Sequence, residues 1–207
     1  MFASLSPSQL RRTLQAMAFL DAVLSPEWEI RHVSYNAHWA PQQELASLRD
    51  GQGSQVFLVW TPLGLFAKGY DAEAGSLDGA PEAVAAARAE LPAETGSAFF
   101  DEPAFAWDEL TFFGWRRTSH DPWRWIPPVP SARNFLLRHV TGDPQDYRHW
   151  ALEYFDSDLP PNLIQRAFEG GEFAWSDLLA LNPDASRAAI RQALAELGQT
   201  AIRVVFA

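Results

Sequence analysis

Apolar residues recur three and four positions apart near the start of the chain, which is the spacing of one face of an α-helix. Ser6 is a suitable N-cap, Pro7 suits the first helical position, and Gln9 stands where a capping box places its second polar residue. Pro26 ends the pattern. We therefore predict an amphipathic helix with one apolar face, made of Leu10, Leu14, Met17, Leu20 and Leu24.

Short runs of β-forming residues follow this helix. Val56–Trp60 and Leu65–Tyr70 are two such runs, and the turn-forming residues 61–64 between them predict a β-hairpin inside a sheet. Lys68 and Gly69 in the second run are less typical of a buried position. The other elements predicted in this half are a strand at Trp28–Val33, a loop over residues 34–39, a short helix at Pro41–Leu48, a helix at Pro81–Leu91 and a strand from Leu110 to Trp115.

The last third of the chain has the signals of helices. Asp143 is a suitable cap for a helix that begins at Pro144, and Asn182 and Gly198 bracket another helical pattern. The prolines between residues 121 and 130 favour an extended or turning backbone. The remaining predictions are helices at Pro161–Phe168, Trp175–Leu181 and Pro183–Leu197, and a closing strand at Ala201–Phe206.

Strands thus cluster in the first 117 residues and helices in the rest. This segregation predicts an α+β fold, in which a mainly antiparallel sheet from the N-terminal half packs against helices, many of them from the C-terminal third. No linker separates two independent cores, so residues 1–207 are predicted to form a single domain.

Composition limits the function more than the fold. Nine Trp residues require a large core, an aromatic-lined groove, or both. The formal net charge of −10 disfavours binding to nucleic acid or to an anionic membrane and favours a basic protein partner, although acidity can equally serve solubility alone. The chain has no Cys. Polar residues interrupt the first helical pattern, so it predicts neither a signal peptide nor a membrane span, and we expect a cytoplasmic location.

Motifs of well-known enzyme classes are absent from the sequence. It contains no P-loop, dinucleotide-binding, nucleophile-elbow or zinc-protease pattern. None of the five His residues is three to five positions from another, so we predict no metal site and no cofactor. These residues are His32, His38, His120, His139 and His149.

Two segments are candidates for ligand binding. Titratable, amide and aromatic groups occur together in the predicted loop after the first strand, with Arg49 downstream, and loops on a rigid scaffold often carry function. The same rings can instead anchor the loop in the core. In the second segment, Arg116 lies in an Arg- and Trp-rich stretch that can stack on a planar ligand or within the protein. The predicted binding residues are Tyr35, Asn36, His38, Trp39, Arg49 and Arg116.

Several short stretches carry a resemblance to a known group of proteins. They include Tyr35-Asn36-x-His38-Trp39, Leu48-Arg49-Asp50-Gly51-x-Gly53, Lys68-Gly69-Tyr70, Glu102-Pro103-Ala104-Phe105 and Trp115-Arg116. Over roughly residues 28–125 the chain resembles an uncharacterised bacterial protein family. That family has no established activity, so the resemblance implies no catalytic residue or cofactor. The chain departs from the family at Asp71-Ala72-Glu73, which replaces a His-bearing turn.

Two hypotheses for function follow from these patterns. The first is a non-enzymatic, acidic interaction protein, of the immunity or regulator type, that binds a basic partner through aromatic anchors. The alternative is a small-molecule-binding protein or hydrolase with a pocket around Tyr35, His38 and Trp39. Convergence of His38, Asn36, Arg49 and an acidic residue in one concave pocket would favour the alternative.

Overall fold

Residues 4–91, 99–118, 121–126 and 135–206 are described by the computed structural model. These parts of the chain contain six α-helices and eight β-strands, which confirms the predicted α+β class. The helices are α1 (Pro7–Leu24), α2 (Ala80–Glu90), α3 (Pro144–Phe155), α4 (Pro161–Glu169), α5 (Trp175–Leu181) and α6 (Arg187–Leu197). The strands are β1 (Val33–Ala40), β2 (Gln43–Arg49), β3 (Gln55–Thr61), β4 (Gly64–Tyr70), β5 (Phe112–Arg116), β6 (Arg124–Ile126), β7 (Glu172–Ala174) and β8 (Arg203–Val205).

Strands β1 to β6 form one antiparallel sheet in chain order, so every connection joins neighbouring strands. The predicted hairpin is β3–β4, in which Val59 lies opposite Phe66 and Thr61 lies opposite Gly64. Strands β7 and β8 form a separate parallel pair. The N-terminal half of the chain therefore builds the main sheet, as the sequence predicts.

Alternation along the strands gives the sheet two apolar faces. The face that we call the helix face presents Val56, Leu58 and Trp60 to α1 and the C-terminal helices. The opposite face, which we call the aromatic face, presents Phe57 and Phe66 to a second buried cluster. That cluster also contains side chains from α2 and from the segments around residues 99–113.

Helix α1 packs against β1 and against the C-terminal helices α4, α5 and α6. It is capped as predicted, because Ser6 Oγ accepts the Gln9 N–H at 3.2 Å and the Gln9 side chain accepts the Ser6 N–H at 2.9 Å. Buried side chains of α1, the sheet and helices α3 to α6 form one continuous cluster. Within the described ranges, no helix combines the length and apolar character needed to cross a membrane.

The structure corrects three predictions in the first 50 residues. The predicted strand at Trp28–Val33 is a 3-10 helix at Trp28–Ile30, and the strand begins only at Val33. Residues 34–39 are not a loop, because they lie in β1. Pro41–Leu48 is not a helix, because Gln42 turns the chain with a φ of 60° and β2 follows. The residues of β1 are mixed in polarity because this edge strand is only partly covered.

The last long helix also begins later than predicted. It starts at Arg187, and the Ser186 hydroxyl accepts the N–H of Ala189, so Ser186 is the N-cap rather than Asn182. Asn182 instead ends α5, and its Nδ2 donates to the carbonyl oxygens of Val23 and Leu24 at 2.9 and 3.1 Å. The amide of Asn182 therefore ties the end of α1 to the C-terminal helices.

Lys68 and Gly69 are both buried, contrary to the expectation from sequence. A Cβ atom on Gly69 would lie 1.9 Å from Cε1 of Phe112, so only glycine lets this ring cover the strand. Lys68 points to the aromatic face, where it lies opposite Phe57 on one neighbouring strand and Phe113 on the other. The sheet therefore encloses an amine among aromatic rings.

Candidate functional site

The described residues form a concave site of about 460 Å³, which we call the cleft. It lies at one end of the sheet, where the segments that follow β2 and β4 meet helix α3 and His32, the residue before β1. β2 and β4 run in the same direction in this antiparallel sheet, so the residues that follow them lie at the same end of the sheet. This geometry brings Asp50 and Asp71 to one side of the cleft.

Hydrogen bonds fix the two loops that form this side. One carboxylate oxygen of Asp50 accepts the N–H groups of Gln52 at 2.8 Å and Ser54 at 3.0 Å. The Ser54 hydroxyl accepts the N–H of Ala72 at 3.1 Å, which joins the loop between β2 and β3 to the segment after β4. Asp71 closes that segment by accepting the N–H of Glu73 at 3.0 Å. The wall of the cleft is therefore held by its own polar side chains.

Aromatic rings form the opposite side. The imidazole of His32 lies 4.4 Å from the ring of Trp150 and 5.6 Å from that of Tyr154. Trp150 and Tyr154 stack at 4.9 Å along α3. The Tyr154 hydroxyl donates to the Ile30 carbonyl oxygen at 3.2 Å, which fixes the half-exposed ring at the cleft.

His32 and Ser54 are the most enclosed polar residues that line the cleft, each with 3% of its surface exposed. Nδ1 of His32 is hydrogen-bonded to the carbonyl oxygen of Arg49. A carbonyl can only accept, so Nδ1 carries the proton. Burial lowers the pKa of His32 to about 4, so at neutral pH the ring is uncharged and Nε2 is an acceptor. Within the described parts of the chain, Nε2 is buried and has no hydrogen-bond partner.

His139 completes the ring cluster at 6.1 Å from Trp150. Burial and the neighbouring Arg138 lower the pKa of His139 to about 4, so it is also uncharged at neutral pH. Its Nε2 accepts a hydrogen bond from Arg138 Nε at 2.8 Å. Arg138, the one cationic side chain among the described residues that line the cleft, is thus held by a neutral histidine.

The charges around the cleft are mostly negative. The carboxylates of Asp50, Asp71, Glu73 and Glu153 face one guanidinium, that of Arg138. Since both histidines are uncharged, the described side chains that line the cleft carry three net negative charges at neutral pH. Among the described residues, no group of three His, Asp or Glu side chains is arranged to hold a metal ion.

The residues predicted from sequence in β1 lie elsewhere. Tyr35 is buried on the helix face, where its ring lies 5.8 Å from Trp60 and its hydroxyl donates to Glu44. Glu44 also lies 3.1 Å from the guanidinium Nε of Arg11. Trp39 packs on Phe105 of the aromatic face, at a ring distance of 6.2 Å. Tyr35 and Trp39 are therefore on opposite faces of the sheet.

Asn36 and His38 do come together, because the Asn36 side chain accepts the His38 N–H at 2.8 Å. The guanidinium of Arg49 lies 3.7 Å from the ring of Trp28. Arg49 bonds to the cleft residue His32 through its backbone, whose carbonyl oxygen accepts from Nδ1 and whose N–H donates to the His32 carbonyl oxygen at 2.8 Å. None of the three side chains is among those that line the cleft. A ligand-binding role for them stays a prediction.

Arg116 is buried at the opposite end of the sheet. Its Nε donates to the Thr118 carbonyl oxygen at 3.1 Å, and its guanidinium lies 6.0 Å from the ring of Trp123. Trp123 and Trp125 stack on each other at 4.8 Å. The Arg- and Trp-rich stretch therefore stacks within the protein, and the predicted ligand role of Arg116 also stays a prediction.

Sequence reasoning did not select the residues that line the cleft. His32 and His139 do not have the sequence spacing of metal ligands, and no other local pattern marks them. Asp50 and Asp71 directly follow β2 and β4, two strands of equal direction, but the helix predicted at Pro41–Leu48 hid the first of these strands. No local pattern connects them to Trp150 and the rest of α3.

Comparisons with known proteins add no relative to this description. No family model matches the chain, and no curated protein or solved structure was found to match it. The function must therefore be argued from the geometry of the cleft.

Proposed function

We propose that the protein is a non-enzymatic binding protein of the immunity or regulator type, and that it holds a basic partner at the cleft. The observation that carries this proposal is the pairing of three net negative charges with an aromatic wall in one concave site. Carboxylates attract a cation from a distance, and the faces of aromatic rings stabilise it after contact. The overall charge of −10 acts in the same direction.

Exposed apolar side chains next to the cleft support a protein partner. Trp28 and Ile30 expose 47% and 48% of their surface. Tyr154 links the cleft to Ile30 through its hydrogen bond, and Arg49 links it to Trp28 through the stacked guanidinium. Trp and Arg are frequent at the energetic centres of protein interfaces. A partner that fills the cleft could cover this short 3-10 helix as well.

Binding of a labelled oligoarginine peptide, followed by fluorescence anisotropy, tests the proposal. We expect binding that weakens steeply with added salt, because the attraction is mainly between exposed charges. The double variant Glu73→Gln/Glu153→Gln should weaken binding about fivefold, since exposed ion pairs contribute roughly 0.2–1 kcal/mol each. Both side chains are exposed at the cleft, so the fold should be unaffected.

A second double variant separates local from overall charge. Glu82→Gln/Glu172→Gln changes the net charge by the same amount at exposed positions that do not line the cleft. We expect it to bind the peptide nearly as well as the wild type. Equal weakening by the two double variants would show that only the total charge matters, and no binding at low salt would contradict the proposed function.

The enclosed, neutral His32 favours a second candidate, a protein that binds a small cationic molecule in the same cleft. This hypothesis moves the pocket of the small-molecule alternative away from Tyr35, His38 and Trp39, because these residues do not line the cleft. Saturable binding of a small cation without any binding of the peptide would favour it over the first proposal.

A further inference from the structure

The geometry points to one chemical group that the cleft receives. Resting on the proposed function, we infer that a single arginine side chain of the partner enters the cleft, donates an N–H to His32 Nε2 and lies against the ring of Tyr154. The cleft is thus a specific binding site for a guanidinium group. Diffuse attraction between charged surfaces is not the whole of the interaction.

The cleft residue His32 has a hydrogen-bond acceptor that no described donor uses. His32 Nε2 is buried and without a hydrogen-bond partner in the described structure, and its proton state is fixed by the bond from Nδ1 to the Arg49 carbonyl. A buried acceptor without a donor costs roughly 1–3 kcal/mol. A ligand that supplies an N–H removes this cost, whereas a carboxylate or phosphate group has no proton to give.

The ring of Tyr154 beside His32 suits a planar cation. Tyr154 is the half-exposed member of the ring stack, and it lines the cleft beside His32. A guanidinium is planar and has its N–H groups in the plane, so it can stack on a ring and donate at its edge at the same time. An ammonium cannot do both in one orientation. The site therefore favours arginine over lysine.

The negative charge of the cleft and the exposure of its lining side chains also favour entry of a guanidinium. Arg138, the cation already present, donates to His139 and offsets only one of the four carboxylates that line the cleft. Three of the lining side chains, those of Glu73, Arg138 and Glu153, are exposed. Exposed long side chains change rotamer readily, so they can move aside as a guanidinium approaches His32.

Nitrogen NMR of the wild-type protein, labelled with ¹⁵N at histidine, tests this inference directly. The probe is acetyl-arginine-amide, and the matched control is acetyl-citrulline-amide, which has a similar shape but no charge. We expect the arginine probe to shift the His32 Nε2 resonance toward that of a hydrogen-bonded acceptor. The citrulline probe has urea N–H groups but no charge for the carboxylates to attract, so it should bind weakly and shift this resonance only at much higher concentration.

Variants add a second measurement. His32→Asn keeps a donor for the Arg49 carbonyl but lacks the Nε2 acceptor, so it should bind acetyl-arginine-amide at least about tenfold more weakly. His149→Asn, at an exposed position of α3 that does not line the cleft, should bind it unchanged. The wild-type NMR result stands even if His32→Asn fails to fold.

Two results would overturn the inference and leave the proposed function intact. One is binding of acetyl-arginine-amide in the cleft without any change at His32 Nε2. The other is no binding of the blocked arginine by a protein that still binds oligoarginine in a salt-dependent manner. Failure of the oligoarginine peptide itself would instead contradict the proposed function, and the inference would fall with it.

Discussion

Replacing Asp21 by alanine is expected to lower the free energy of unfolding by about 3–5 kcal/mol. Asp21 is fully buried, and its two carboxylate oxygens accept the Val33 N–H at 2.7 Å and the Tyr147 hydroxyl at 2.8 Å. These bonds join α1 to the start of β1 and to α3. Alanine would leave both donors buried and unpaired, at roughly 1–3 kcal/mol each, and would add a small cavity. Urea denaturation measures the loss.

The variant Asp21→Asn serves as the control, because it keeps the shape and an acceptor but cannot ionise. Burial raises the pKa of Asp21 to about 7 from the model-compound value of 3.8. A carboxyl whose pKa is higher in the folded state stabilises the fold below its unfolded pKa, and this stabilisation is lost as the pH rises toward 7.

The wild type should therefore lose stability relative to Asp21→Asn between pH 5 and pH 8. The expected difference is about 2–3 kcal/mol, at about 1.4 kcal/mol for each pKa unit. Parallel pH profiles of the two proteins would show that the carboxyl of Asp21 does not titrate in this range. A loss below 1 kcal/mol in Asp21→Ala would show that other groups or water satisfy Val33 and Tyr147.

Replacing Lys68 by methionine is expected to stabilise the protein by about 3 kcal/mol at pH 7. The amine of Lys68 is completely buried and has no hydrogen-bond partner in the described parts of the chain. It lies 6.0 Å from the ring of Phe57, and burial lowers its pKa to about 8 from 10.5, partly opposed by Glu109 and Asp108. Methionine has a similar length and no charge to desolvate.

The advantage of Lys68→Met should shrink as the pH rises from 8 to about 10.5. In that range the unfolded wild type still holds its proton while the folded protein has lost it, so the wild type gains stability with pH. Thermal or urea unfolding of both proteins at pH 7 and pH 10 gives the comparison. A methionine variant less stable than the wild type at pH 7 would show that the ammonium has a stabilising role in the aromatic face.

Much of the fold could be predicted because its signals are local. The capping box of α1, the apolar runs of β3 and β4, and the caps and prolines of the C-terminal helices each lie within a few residues. The β1–β2 hairpin could not be predicted in this way. Its first strand mixes Tyr35, Asn36 and His38, because one edge of the sheet is only partly covered and alternation is weak there.

The candidate site was harder to predict because it is assembled from distant segments. His32 becomes a buried acceptor only when Trp150 of α3 covers it and the Arg49 carbonyl fixes its proton. Neither contact can be predicted from the residues near His32 in the sequence. The prediction of a pocket around Tyr35, His38 and Trp39 relied on chemical variety within one segment. The described lining of the cleft instead combines one to three residues from each of five segments.

The enclosure of Lys68 has a consequence for experiments on this protein. The chain has 16 Lys and Arg residues, and Lys68 is its only lysine. The folded surface therefore offers no lysine side chain to amine-reactive cross-linkers. Such reagents would not link a partner to this protein through a lysine. Carbodiimide coupling of the cleft carboxylates to lysines of the partner is the suitable chemistry. Acylation of Lys68, detected by mass spectrometry, would instead report how often the aromatic face opens.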